Sequence, residues 1–481
     1  MEAQMIAKKV NIAAKWSLLT QIGTKLITPI TNMILARLLA PEAFGVVATI
    51  NMVISFVDMF TDAGFQKYLV QNEFSSDKEK YESTNVAFIT NLSISIIIWG
   101  VIIICRDNIA VMLGNPGLGN VLAIACIQLP MTSFSSIQMA LYRRNFDFKS
   151  LFNINMVRAL IPLIVSVPLA KLGFSYWSII IGSTLGILYN AIVLTIKSDW
   201  KPSLFFDFNI LKKMFGFSFW SLLEAISIWL TSWIDALIIG SILTPYYLGL
   251  YKTSLSLVNS VIMIISGSIC PVLFSALSRI QNDDEKSKSI FYKIQKIVAY
   301  FAFPIGVGMF IYSDFITITM LGEQWIEASK VVGIWSLTSA FRLVLTSIYS
   351  EVYRAKGKPK ISLFAQIIHL VVLIPACFWG IKFGFWGLVY FRALIRIESI
   401  VTGLLLMHYV MKFNALDIIK NICKPLIFTT LMSIIAFSLN SISSTFIWNI
   451  ISILICIIAY IMLMLIWAKD DLLSIISTVK K

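Results

Sequence analysis

Five cations interrupt otherwise apolar stretches of this 481-residue chain: Lys25, Arg158, Arg342, Arg392 and Arg396. A charge inside a helix that crosses hydrocarbon is costly and is retained where it faces a cavity or a partner. Arg392 and Arg396 are four residues apart and share one helix face. A guanidinium fork matches phosphate oxygens two at a time and keeps its charge in a low dielectric, so a cavity lined this way suits a large anion. Snorkelling or structural ion pairing is the competing account, and it weighs most for Arg158.

The same stretches hold acids. Asp58, Glu224 and Asp235 are candidates for carrying a coupling proton or for pairing with the arginines when the cavity is empty. Glu224 and Asp235 are eleven residues apart, about three helical turns, and share a face. Trp220, Trp229 and Trp233 lie in the same segment, suited to stacking on a sugar or to packing; packing is the better reading for membrane tryptophans. Asp62, Glu351 and Glu398 lie nearer one membrane surface, where ion pairing with basic neighbours is expected, as for Glu351 with Arg354. No catalytic constellation is apparent, no cofactor is implied, and two histidines are too few for a metal cage. Six cysteines without C-x-x-C spacing read as small buried hydrophobes.

The elements that must position these charges are membrane helices. Hydrophobic residues make up 58% of the chain and charged residues 13%, which no soluble domain of this length could tolerate. On a ruler of about 20 apolar residues per crossing, fourteen segments emerge: 16–39, 43–65, 83–105, 118–140, 151–170, 174–196, 215–240, 248–277, 294–313, 331–353, 361–381, 385–410, 421–440 and 446–467. With the N-terminus cytoplasmic, 28 of the 39 Lys and Arg residues fall in inside segments and 6 in outside loops, as the positive-inside rule expects. Both termini are then cytoplasmic. The net charge of +14 is accounted for by this topology and by contact with anionic head groups of the bilayer, with no sign of a nucleic-acid surface.

An internal repeat organises the spans. Leu39-Ala40-Pro41-Glu42-Ala43-Phe44-Gly45 is echoed by Leu243-Thr244-Pro245-Tyr246-Tyr247-Leu248-Gly249. Further echoes are Tyr142-Arg143 with Tyr353-Arg354, Ile161-Pro162 with Ile374-Pro375, and Gly173-Phe174 with Gly384-Phe385. Six spans per copy makes both copies enter from one side, so their pseudo-two-fold axis runs along the membrane normal. The expected organisation is an all-α polytopic protein with an N-terminal lobe (1–196), a cytoplasmic linker (197–214), a C-terminal lobe (215–410), and an extra hairpin with a tail (411–481). Rocking of two lobes around a central cavity would give alternating access.

The run Ile34 to Gly45 (ILARLLAPEAFG) and its counterpart Asp235 to Tyr251 (DALIIGSILTPYYLGLY) resemble the hairpins that open the two lobes of Wzx-type oligosaccharide flippases. Those belong to the multidrug/oligosaccharidyl-lipid/polysaccharide exporter superfamily. The N-terminal AAKWSLLTQIG resembles the colanic acid exporter branch, and the likeness covers essentially the whole chain. The resemblance implies a bacterial inner-membrane flippase that moves an undecaprenyl-pyrophosphate-linked oligosaccharide to the outer leaflet for O-antigen, capsule or exopolysaccharide assembly. It implies polysaccharide polymerase and chain-length machinery as partners, and spans 13 and 14 as a hairpin accommodating the lipid tail. A multidrug or cation exporter of the same superfamily is the alternative, but such a site wants acids where this one is basic. A membrane polymerase or glycosyltransferase would want catalytic residues in large outer loops, and the longest here, 314–330, offers Asp314, Glu323 and Glu327.

Overall fold

The computed structural model describes the backbone of residues 2–62, 65–280 and 283–471, and there the side chains of all but residues 2–11, 13, 14, 18, 21, 22, 25, 61, 62, 215–221, 224 and 359. The side chains of Lys25, Asp62, Trp220 and Glu224 therefore lie outside the described residues. Among the described residues the chain is all helix and connecting turn. In order the helices are α1 (Glu2–Leu38), α2 (Pro41–Asp62), α3 (Phe65–Gln71), α4 (Asp77–Met112), α5 (Gly119–Ala125) and α6 (Gln128–Arg144). Next come α7 (Phe148–Lys171), α8 (Ser175–Lys197), α9 (Phe208–Ile242), α10 (Pro245–Arg279), α11 (Asp284–Ile311) and α12 (Ser313–Leu321). The last are α13 (Ala328–Arg342), α14 (Tyr349–Ala355), α15 (Pro359–Gly380), α16 (Gly384–Tyr409), α17 (Ala415–Asn440) and α18 (Phe446–Trp467).

Several helix starts carry polar caps: Ser76 accepts from the Glu79 N–H at 3.2 Å, Asp147 from Ser150 at 3.1 Å, and Asp207 from Asn209 at 2.6 Å. Asp283 accepts from Lys286 at 3.0 Å and Asn414 from Leu416 at 3.1 Å. Each takes up one of the N–H groups that a helix leaves unpaired in its first turn. By contrast α2 and α10 begin at Pro41 and Pro245, where a missing N–H costs nothing and the ring presets the helical φ.

Twelve stretches among the described residues are long and apolar enough to cross a membrane. The difference from fourteen has two sources: Lys360–Tyr409 holds both α15 and α16, and α1 contributes only Leu26–Leu38, a shorter apolar run. Segment 118–140, expected as one helix, is two. Pro130 has no N–H to offer the Cys126 carbonyl four residues back, and that carbonyl accepts from Leu129 at 3.0 Å in a tighter turn. The stretch 314–330, expected as a loop, instead carries α12 and a 3₁₀ turn that buries Trp325 completely.

The duplication is visible in backbone geometry. Both Tyr-Arg motifs end their helices with one N–H···O pattern: Asp147 N–H to Tyr142 C=O at 3.0 Å, and Lys358 N–H to Tyr353 C=O at 2.8 Å. The residue inside each turn is left-handed, Phe146 at φ 58° and Gly357 at φ 67°. Glycine occupies that position without strain, while the first copy holds a phenylalanine there.

The chain forms two compact units, Met1–Lys252 and Thr253–Lys481, dividing within α10. In the first, α1 packs on α7, α7 on α8, and α6 on α4 and α8. The polar face of α6 is buried and stitched to its neighbours: Asn91 donates to Ser136 at 2.7 Å and Gln128 to Thr184 at 2.9 Å. Such bonds hold helices together where lipid removes the hydrophobic drive between them. The segment between α8 and α9 belongs to this unit's core, with Trp200 buried against Phe88 at 5.5 Å and the Ser203 N–H donating to Asn85 at 3.1 Å.

The two Pro-x-x-x-Gly hairpins also meet within the first unit. A Cβ on Gly45 would lie 1.8 Å from the Pro245 carbonyl oxygen, and one on Gly249 would lie 1.9 Å from that of Pro41. Glycine is required at both because the neighbour is backbone. In the second unit α11 packs on α13 and α17, α13 on α16, α15 on α16, and α17 on α18.

Candidate functional site

The second unit gathers three of the five cations. On α13, Trp335, Ser339 and Arg342 recur at helical spacing and present one face, with Thr338 beside them. On α16, Arg392 and Arg396 do the same and are buried, 7% and 4% exposed. The Arg396 guanidinium lies 3.7 Å from the centroid of the Trp335 ring and donates to Ser339 Oγ at 2.6 Å and Thr338 Oγ1 at 3.0 Å. Arg392 shares the same indole from 5.7 Å. Stacking on an aromatic face and hydrogen bonding to hydroxyls keep these charges inside the bundle without neutralising them.

Arg342 stands differently. Its side chain is exposed, and among the described residues it makes no salt bridge or side-chain hydrogen bond. Arg392 lies within electrostatic reach of it. Two guanidinium groups in a low dielectric repel one another when the space between them is empty and attract an anion that bridges them. Directly after Arg342 the helix loosens into a π turn, Leu343–Ser347, before resuming as α14. Such single-turn widenings concentrate at functional sites.

His369 on α15 completes the cluster. It is 8% exposed, its Nδ1 lies 2.9 Å from Glu398 Oε2, and Arg392 and Arg342 act on it electrostatically. The other oxygen of Glu398 accepts from Thr402 at 2.7 Å. Glu398 thus pairs with a histidine in the bundle rather than with a basic residue at the surface. Trp335, His369 and Glu398 were not expected to be part of the site. Two histidines are too few for a metal cage, yet the ionisable ring of His369 inside a span meets the same criterion as the arginines. Glu351 does pair with Arg354.

The remaining candidates lie in the first unit. Asp58 on α2 acts electrostatically on Arg158 on α7, so those two are neighbours in charge. Asp235 is 1% exposed and accepts from the Tyr251 hydroxyl at 2.7 Å and the Ala236 N–H at 2.7 Å, bracing α9 against α10 beside the hairpin. Trp229 donates to Ser55 at 3.1 Å and packs edge-on against Phe56, while the Lys252 ammonium covers Trp233 at 3.8 Å. Both tryptophans are packing elements here. Among the described residues no group of His, Cys, Asp and Glu side chains is arranged to hold a metal.

The family model for polysaccharide biosynthesis proteins matches residues 34–330. The chain belongs to that family. Its similarity extends to the teichuronic acid biosynthesis protein TuaB of Bacillus subtilis, 21% identical with 90% of each chain covered. The lipopolysaccharide biosynthesis protein WzxC of Escherichia coli is 23% identical, with 78% of this chain and 76% of that protein covered. Among solved structures, the lipid II flippase MurJ in an inward closed conformation superposes with a TM-score of 0.77 at 17% identity, covering 95% of this chain and 99% of its own. An inward-facing multidrug transporter of the MATE family gives 0.61 at 14% identity, covering 84% and 99%. This chain therefore has the fold of MurJ and the MATE transporters.

Proposed function

We propose that this member of the family flips a lipid-linked oligosaccharide, joined to its polyprenyl tail through a pyrophosphate, across the bacterial cytoplasmic membrane. The observation that carries the reading is the Arg342–Arg392 pair: two cations within electrostatic reach in membrane-spanning helices, with Arg342 exposed and, among the described residues, in no ion pair. A pyrophosphate supplies two adjacent negative centres and several acceptor oxygens, which suits two neighbouring guanidinium forks. Trp335, held flat by Arg396, offers an apolar wall beside the anion. The names of relatives such as WzxC and the succinoglycan biosynthesis transport protein ExoT of Rhizobium meliloti fit a saccharide cargo and transport rather than catalysis.

In this reading Arg342 and Arg392 contact the linker and Arg396 positions them. Arg158 and Lys25 are the first lobe's candidate substrate contacts, with Asp58 acting on Arg158 when no substrate is present. The termini are cytoplasmic, and the lobes of residues 1–196 and 215–410 rock about the linker between them. The undecaprenyl tail stays in lipid beside α17 and α18, and polymerase and chain-length machinery receive the product. Substituting Arg342→Ala should lower surface polysaccharide about tenfold or more at unchanged protein level, the loss of a charge-assisted contact being about 1.5–3 kcal/mol. Normal polymer from that variant would reject the pyrophosphate assignment.

A further inference from the structure

A second basic recess, unrelated to the arginine cluster, lies where α11, α17 and the segment after α18 come together. It encloses about 310 Å³ and is lined by Lys293, Lys296, Tyr292, Tyr300, Asn421 and Asp471. The Asp471 carboxylate occupies part of it: one oxygen accepts from the Lys296 ammonium at 2.8 Å, the other from the Tyr300 hydroxyl at 2.8 Å. Lys424 acts on the same carboxylate electrostatically. Lys293 lines the space, and among the described residues makes no ion pair or side-chain hydrogen bond. Donors for more than one small carboxylate therefore converge on a space larger than a carboxylate fills.

Its depth narrows the choice of ligand. Asp471 follows the end of α18 at Trp467, Asn421 lies in the second turn of α17, and Tyr292 and Lys296 flank the start of the apolar run 294–313 in α11. Tryptophan, tyrosine and lysine at helix ends mark the level of lipid head groups. Basic recesses between membrane helices at that level suit anionic phosphate head groups.

We infer that this recess is a binding site for a phosphate oxyanion, carried by an anionic glycerophospholipid, and that Asp471 is its displaceable internal occupant. Lys296 and Tyr300 would transfer from the carboxylate to two phosphate oxygens, and Lys293 would take a third. Asp471 would then swing free, so lipid binding and the docking of the segment after α18 exclude one another.

The test uses the full-length protein in detergent, titrated with short-chain phosphatidylglycerol, with phosphatidylcholine of the same chain length, and with inorganic phosphate. Binding is read by native mass spectrometry and by the shift in thermal unfolding. Phosphatidylglycerol should bind at least tenfold better than phosphatidylcholine, Asp471→Asn should tighten it several-fold, and Lys293→Gln should weaken it several-fold. Because Lys293 makes no ion pair or side-chain hydrogen bond among the described residues, Lys293→Gln keeps the test decisive even where Lys296→Gln impairs folding. Phosphate binding alone, with the same dependence on Lys293 and Asp471, would keep the oxyanion site and overturn the lipid as its source. Phosphatidylglycerol binding indifferent to both substitutions would overturn the proposal.

Discussion

Gly45 and Pro245 touch so closely that one added methyl group on the glycine would sit 1.8 Å from the proline carbonyl oxygen. Gly249 repeats the contact on Pro41 at 1.9 Å. The two copies of one motif thus grip each other reciprocally, backbone on backbone. Gly45→Ala and Gly249→Ala should each cost about 1–3 kcal/mol of stability, since a carbonyl cannot rotate aside as a side chain can. Thermal unfolding of the purified variants measures it, and the double variant should fall short of the sum because each change opens the same junction. Two full, independent losses would mean that the hairpins yield separately.

Arg396 and Arg342 are separated by what each already holds. Arg396→Ala removes a stacked guanidinium and its bonds to Ser339 and Thr338, so it should lower stability by about 2 kcal/mol or more. Among the described residues Arg342 makes no salt bridge or side-chain hydrogen bond, so Arg342→Ala should leave thermal unfolding unchanged within error while transport fails. Comparable destabilisation in both variants would make Arg342 a structural residue.

Asp235 serves the junction beside the hairpin. Tyr251→Phe deprives a fully buried carboxylate of a hydroxyl donor and should cost about 1–3 kcal/mol. If Asp235 works only as a brace, residual transport in Tyr251→Phe should keep the wild-type dependence on the proton gradient. A changed dependence would return Asp235 to the coupling acids.

The Lys296–Asp471 contact predicts a pH signature. Burial alone would raise the Asp471 carboxyl, but the hydrogen bonds from Lys296 and Tyr300 outweigh it and hold the group below its ordinary value. The contact's contribution is therefore full above the ordinary carboxylate pKa and vanishes as pH falls through the lower folded value. Thermal unfolding of wild type and Lys296→Met, compared from about pH 6 down to about pH 3, should show a gap that closes on the acid side. A gap that widens there would contradict the assignment.

Much of this was legible in the residues. Apolar length located the helices of the bundle, and the Pro-x-x-x-Gly echo located the duplication, because both are consequences of local spacing. The break at Pro130 was equally local, but a segment already long enough to cross gave no reason to divide it. Contacts between distant residues were not legible. A separation of 204 residues says that Pro41 and Pro245 correspond, not that each carbonyl presses on the other's glycine. The arginines stood out as charges in apolar runs, whereas Trp335 looked like any core tryptophan until Arg396 lay on its face. His369 does not stand out in the sequence, because a neutral imidazole adds nothing to a charge count. Only its 2.9 Å approach to Glu398 reveals a role.

The central claim is that Arg342 engages the pyrophosphate of a lipid-linked oligosaccharide. The most direct measurement reconstitutes the protein in liposomes with a polyprenyl-pyrophosphate-linked oligosaccharide and follows its exposure to a membrane-impermeant saccharide-modifying reagent. Wild-type protein should expose the inner-leaflet pool, Arg342→Ala should slow exposure about tenfold or more, and Arg342→Lys should recover only part, since a point charge lacks the two-pronged fork. An unchanged rate in Arg342→Ala would contradict the account.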